Sequence, residues 1–245
     1  MCNRVLLCLL LLLPAAQAGA ADDVTAILRA ADSFRLPEKS SRVDVNVSLT
    51  VDGKVDKQSQ YRVYASPGRK SLVIFRTAGE LGQKALQLDE RFYLLMPRSQ
   101  LPVRISPMQK LLGEAAVGDI STMTWSEDYA GIVAEKNVDV EGHACIKLEL
   151  KAAREGTTYG AVDLYVTHDR HFPVKASLYL PSGRIAKTVE FREGDLGGFR
   201  MVTDMILHDQ IQLNRVTEVH YSAVKPMSIP ETYYNPAYLT RTNVE

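Results

Sequence analysis

At 245 residues, with 29 basic and 29 acidic side chains, the chain carries no formal net charge and lacks the basic footprint a nucleic-acid partner demands. Of its three cysteines, Cys2 and Cys8 stand near the start. A leader would remove them, leaving Cys145 alone and excluding an intramolecular disulfide.

The start carries the clearest signal. Arg4 precedes an apolar run, Val5 to Leu13, which Pro14 breaks and small residues from Ala15 to Ala20 follow. A basic residue, a short apolar core and an Ala-x-Ala exit make a secretory signal peptide. The run is too short for an anchor, which takes about 20 apolar residues. Ala16-Gln17-Ala18 and Ala18-Gly19-Ala20 both fit the cleavage pattern, so the mature chain starts at Gly19 or Ala21. The expected division is a signal peptide over 1–20 and one domain over 21–245. Cys8 lies at the start of the apolar run rather than after it, which argues against lipidation. No later run is long enough to span a bilayer, so the mature chain is expected to be exported and without an integral membrane segment.

After the leader comes one amphipathic helix, capped by Asp22 or Asp23. Val24, Ile27, Leu28, Ala31 and Phe34 recur at helical spacing until Pro37. From Arg42 to Val51 the period becomes two: Val43, Val45, Val47, Leu49 and Val51 alternate with polar residues, as in a half-buried antiparallel strand. Further strands follow at 61–64, 71–75, 83–88, 92–96, 138–140, 144–150, 159–166, 174–180, 184–191, 199–208 and 216–222. Turn signals separate them, including Asp52-Gly53, Pro67-Gly68, Glu141-Gly142 and Gly197-Gly198. Such a run predicts one large antiparallel sheet whose apolar face must be closed, stacked or covered.

Between Pro102 and Trp125 the strand pattern stops. Ser106-Pro107-Met108-Gln109 reads as a capping-box helix start, with Met108, Leu111 and Leu112 on its apolar face. A second helical or loop segment over 118–128 carries Ile120, Met123 and Trp125. Together with the first helix these pieces are expected to lie across one face of the sheet.

Enzyme chemistry is thin, and the chain is expected to be non-enzymatic with no cofactor. His168-Asp169-Arg170-His171 has an H-x-x-H spacing but no further ligand at a recognised distance, so it reads as a polar hairpin turn rather than a zinc site. Glu190 and Glu193, with Lys187 and Arg192 nearby, read as an exposed charged strand face. Neither a Gly-x-Ser-x-Gly elbow nor a phosphate-cradling glycine loop is present. Cys145 sits in a strand pattern and is expected to be buried. The apolar strand faces fit either a filled core or an open lipid cavity, and Trp125 fits either a gate or a packing anchor.

The ordered set of segments is more specific than any one of them. It runs from leader and helix to a long strand, then to Arg69-Lys70-Ser71-Leu72-Val73-Ile74-Phe75 after Pro67. Leu88 to Pro97 follows as a hairpin, then Gly118-Asp119-Ile120-Ser121, the strand pair around Val162 to Val166 and Val174 to Phe191, and a tail from Tyr234 to Leu239. In this order the chain resembles the LolA-like family of periplasmic outer-membrane lipoprotein-sorting proteins, in particular its transporter-associated branch. One departure stands out: those carriers place an arginine directly before the proline of the third strand, whereas here Ser66 precedes Pro67 and Arg69 lies beyond it.

The resemblance implies an α+β, mainly β fold: an incomplete antiparallel barrel with short helices over its open concave face. It implies a periplasmic carrier that holds the acyl chains of a lipoprotein or other lipid and moves it between an inner-membrane transporter of the large export type and the outer membrane. On this reading the cavity and lid are formed by Val45, Val47, Leu49, Tyr61, Val63, Leu72, Ile74, Leu86, Leu88, Tyr93, Leu95, Met108, Leu111, Leu112, Met123 and Trp125. A sensor or regulatory module binding lipidated ligands is the alternative, with a hydrolase behind both.

Overall fold

Two-residue turns knit the chain into a single antiparallel sheet. Both residues of Asp52-Gly53, Glu141-Gly142 and Gly197-Gly198 have positive φ, giving mirror-image turns whose twist matches that of paired strands. The computed structural model describes residues 19–35, 39–97, 99, 101–108, 115, 119 and 124–244, with side chains from Val24 onward. Helix α1 (Gly19–Ser33) leads into β1 (Ser41–Val51), β2 (Lys54–Ser66), β3 (Lys70–Phe75), β4 (Lys84–Leu88), β5 (Arg91–Leu95) and β6 (Val103–Ile105). A short α2 (Trp125–Asp128) opens the second run: β7 (Tyr129–Val140), β8 (His143–Ala152), β9 (Ala161–Thr167), β10 (Pro173–Tyr179), β11 (Ile185–Leu196), β12 (Phe199–Asp209) and β13 (Arg215–Pro226). A 3-10 turn (Glu231–Tyr234) and α3 (Pro236–Leu239) follow.

The 13-stranded sheet has the order β6-β5-β4-β3-β2-β1-β13-β12-β11-β10-β9-β8-β7. Neighbours in sequence are neighbours in space except where β1 pairs with β13, which joins the two runs side by side. Strands β6 and β7 are the opposite edges, and the sheet is not closed between them. The chain that links them therefore leaves one edge and re-enters at the other, carrying Met108, Asp119 and α2 with it.

Strand parity divides the side chains into two buried sets. One is large and lines the inner face: Val43, Val45 and Val47 of β1, Tyr61 and Val63 of β2, Val73 and Phe75 of β3, and on through β8 to β13. Val24, Ile27, Leu28 and Ala31 of α1, together with Trp125, join the same cluster. The other lies on the outer face of β3–β5, where Leu72, Ile74, Leu86 and Leu95 pack with Tyr64 under Tyr234, Leu239 and Val244 of the C-terminal segment.

Several elements differ from the sequence expectation for identifiable reasons. Helix α1 begins at Gly19, so Asp22 and Asp23 lie within it rather than at a cap. Strand β7 is far longer than the three residues expected. As an edge strand with Ile132 and most of its neighbours exposed, it has no apolar face to betray it. Its Gly131 is required by a close approach, since a Cβ there would lie 2.0 Å from the Glu149 carbonyl oxygen. The expected capped helix after Ser106 lies outside the described residues beyond Met108, whose amide donates to Ser106 Oγ at 3.3 Å. His168 to His171 occupy the turn between β9 and β10, and Cys145 is fully buried, which raises its thiol.

Candidate functional site

The inner face is an apolar cup with charge placed only at chosen points. Val45, Val47, Tyr61 and Val63 lie side by side on its floor, because Val45 pairs with Tyr61 and Val47 follows two positions on. Met108 and Trp125 reach the same cluster from the chain between the edges, Trp125 with no solvent exposure at all. Leu49 is buried in phase with them on β1. Leu72, Ile74, Leu86, Leu88, Tyr93 and Leu95 are placed elsewhere: they belong to the outer cluster beneath the C-terminal segment, on the far side of the sheet from Trp125. Leu111, Leu112 and Met123 lie outside the described residues.

The cover over the cup is held by carboxylates. Asp32, near the end of α1, accepts from the amides of Trp125 (2.8 Å) and Ser126 (2.9 Å), so α1 caps the first turn of α2. Burial pushes the Asp32 carboxyl up, with both amides opposing the shift. Arg35 stands 4.5 Å over the Trp125 ring, which meets Phe191 of β11 edge to face at 5.7 Å. At the end of α2, Asp128 pairs with Arg69; both side chains are buried, and burial lowers the arginine. Arg69 sits at positive φ in the turn between β2 and β3, and its Nε also donates to the Asp89 carbonyl at 3.3 Å. The arginine on the far side of Pro67 thus ties one wall of the cup to the cover.

A second buried pair lies within the wall. Lys187 Nζ donates to Asp119 Oδ2 at 2.6 Å, and Tyr159 Oη donates to Asp119 Oδ1 at 2.8 Å. Lys187 and Asp119 are each 3% exposed and Tyr159 fully buried. This corrects the reading of Lys187 as part of an exposed charged face: it is in phase with Val189 and Phe191, which point inward. Glu193 keeps that phase, opposite Val202 of β12, and is only 15% exposed; it accepts from the more exposed Arg170 and Arg200. A lysine in the apolar phase of a strand was the available signal, and Asp119 was visible within Gly118-Asp119-Ile120-Ser121.

The outer face of β2, β1 and β13 holds a cleft of about 640 Å³. Asn46, Ser48, Gln58, Gln60, Arg76, Glu218 and His220 make it polar, which suits it poorly to an acyl chain. Among the described residues, no group of three or more His, Cys, Asp or Glu side chains is placed to hold a metal ion. No helix among them is long and apolar enough to cross a membrane.

A family model described only as an uncharacterized protein matches residues 67–241. A LolA superfamily protein from Nitrosomonas europaea is 28% identical, with 90% of this chain and 100% of that one covered at a TM-score of 0.81. The chain belongs to the family of that model, and its fold is LolA-like. Two further solved structures share the fold at a TM-score of 0.75. A DUF1329 family protein from Desulfovibrio piger is 20% identical over 90% of this chain and 99% of that one. An outer membrane lipoprotein-sorting protein domain from Vibrio parahaemolyticus is 18% identical over 90% and 100%. Among curated proteins none matches.

Proposed function

We propose that this LolA-like protein is an exported, non-enzymatic carrier that binds acyl chains of a lipoprotein or other lipid against its inner face. On this reading the leader over 1–20 delivers it to the periplasm, where it moves cargo from an inner-membrane transporter towards the outer membrane. The observation that carries the proposal is the continuous apolar inner face of an unclosed sheet, covered by separate pieces of chain rather than by a second sheet. Each methylene taken out of water there contributes about 0.8 kcal/mol, so even a single acyl chain is held by apolar contact alone. Met108 gives the lining an adaptable side chain. The lipoprotein-sorting description of the Vibrio relative supports the same reading.

Lipid extraction and mass spectrometry of the protein purified from a periplasm test it. Acyl-containing molecules should be recovered in stoichiometric amount. Protein that yields none, and that also fails to take up an added acyl probe, is not such a carrier.

A further inference from the structure

Lys187 and Tyr159 form a pair of fixed donors on the wall of an apolar cup. Lys187 projects from β11 between Leu178 of β10 and Asp209 of β12, its partners across the sheet. Asp209 is also buried, and its Oδ1 accepts from the amides of Ile211 and Gln212 at 2.7 and 2.8 Å. Tyr159 stands just before β9, and its own carbonyl accepts from the Tyr129 hydroxyl at 3.2 Å. The anion that satisfies both donors comes from neither run of strands. Asp119 belongs to the chain linking the two open edges, and it offers one carboxylate oxygen to each donor.

A buried ammonium in a greasy wall is costly unless an anion accompanies it, and apolar replacement of such a pair often leaves a protein as stable or more so. Fold stability alone therefore gives little reason for the pair. A two-oxygen anion held by an ammonium and a phenol is also the geometry with which a wall would grip a carboxylate or phosphate. We propose that Lys187 and Tyr159 anchor the anionic head of an acyl ligand, which takes the place of the Asp119 carboxylate. The ligand class is an amphiphile with an anionic oxygen head and at least one acyl chain. Its chain lies along the inner face, so the inference rests on the carrier reading above.

The test uses the mature full-length chain and follows Trp125, the single tryptophan, which packs on the inner face. Three probes share one oleoyl chain: sodium oleate, oleoyl lysophosphatidate and methyl oleate. A charge-assisted contact in a buried site predicts that one or both anionic probes bind about tenfold or more tighter than the neutral ester. Lys187→Met should erase that preference while leaving methyl oleate binding intact. Asp119→Asn, which removes the competing carboxylate and keeps the lysine, should tighten the anionic probes several-fold. It gives the deciding direction even where Lys187→Met does not fold. Whichever anionic probe leads distinguishes a carboxylate head from a phosphate head. Equal binding of all three probes, a preference that survives Lys187→Met, or weaker anionic binding in Asp119→Asn overturns the anchor and leaves the carrier standing. Failure of wild-type protein to bind any probe removes the anchor, and removes the carrier reading with it where lipid extraction also yields no acyl-containing molecule.

Discussion

Strands β3 to β5 are apolar on both faces, and the two faces are covered in different ways. Outside, Leu72, Ile74, Leu86 and Leu95 are seated under the C-terminal segment by packing. The polar ties there end mostly on neutral groups: Lys84 donates to the carbonyls of Leu239 (3.0 Å) and Thr242 (3.1 Å), and Tyr234 donates to Ser66 Oγ (2.7 Å). Inside, the cover is held by Asp32, Asp128 and Asp119, each reaching from one element to a donor on another. Apolar seating is lost only by exposing the whole surface to water. A buried charged tie depends instead on its one partner, whose removal leaves a charge unpaired in the interior. The outer face is built as a support, and on the carrier proposal the inner face is the site.

Truncating one leucine on the outer face should produce the largest loss. Leu86 is fully buried, so Leu86→Ala is expected to destabilise by about 2–5 kcal/mol. Affinity for an acyl probe, measured well below the melting transition, should be unchanged. Val45→Thr keeps the shape but places a hydroxyl on the inner floor, at a cost of about 1–3 kcal/mol, and it should weaken the probe several-fold. Denaturant unfolding and probe titration on the same samples separate the two effects. If Leu86→Ala weakens the probe while Val45→Thr does not, the assignment of the two faces is inverted.

That division was only half legible in the sequence. Strict alternation in β1 marks a strand with one covered face, and the structure puts Val43, Val45 and Val47 together as that pattern requires. In β3 and β4 the apolar residues are continuous. Continuity shows that both faces are buried, without showing which one meets the cup. Leu72 and Leu86 therefore read as cavity residues until the tail beginning at Glu231 is seen to cover them. Strand β7 was hidden for the opposite reason: register shifts around Glu135 and broad exposure leave no periodic face. Such shifts and charges also blunt an edge against pairing with other chains. Lys187 and Asp119 escaped because a charge in a strand or loop reads as solvent-facing unless its partner is known.

The ties of the inner cover should give intermediate effects. Asp32→Ala leaves the amides of Trp125 and Ser126 without their acceptor, which costs about 1–3 kcal/mol, and it should loosen α1 and α2 together. Hydrogen exchange at both helices should rise in parallel; a rise in α2 alone would mean that α1 is held by packing on β7. Burial lifts the Asp32 carboxyl above its ordinary value of 3.8. Between that value and the raised one the folded protein holds a proton that the unfolded chain has released. This group's contribution to stability therefore falls as pH climbs through that window. Asp32→Asn should flatten that part of the pH–stability profile, and an unaltered profile would assign the slope to other groups.

Tyr234→Phe tests the outer cover with the smallest expected change. The ring remains seated against Leu72 and Leu86, and only the hydroxyl is lost. Its bond to Ser66 Oγ is the shorter of two, the other reaching the Tyr64 carbonyl at 3.4 Å. Ser66 keeps a partner in Ser40 Oγ at 2.7 Å, so no buried hydroxyl is stranded there. A net loss of about 0.5–1.5 kcal/mol follows, and limited proteolysis of the segment after Pro230 should accelerate by a comparable factor. Probe affinity should not move, because Ser66 and Tyr64 lie on the side of β2 away from Tyr61 and Val63. A fall in affinity would show that the tail sets the position of β2, and hence of the inner floor; the two covers would then act as one device instead of two.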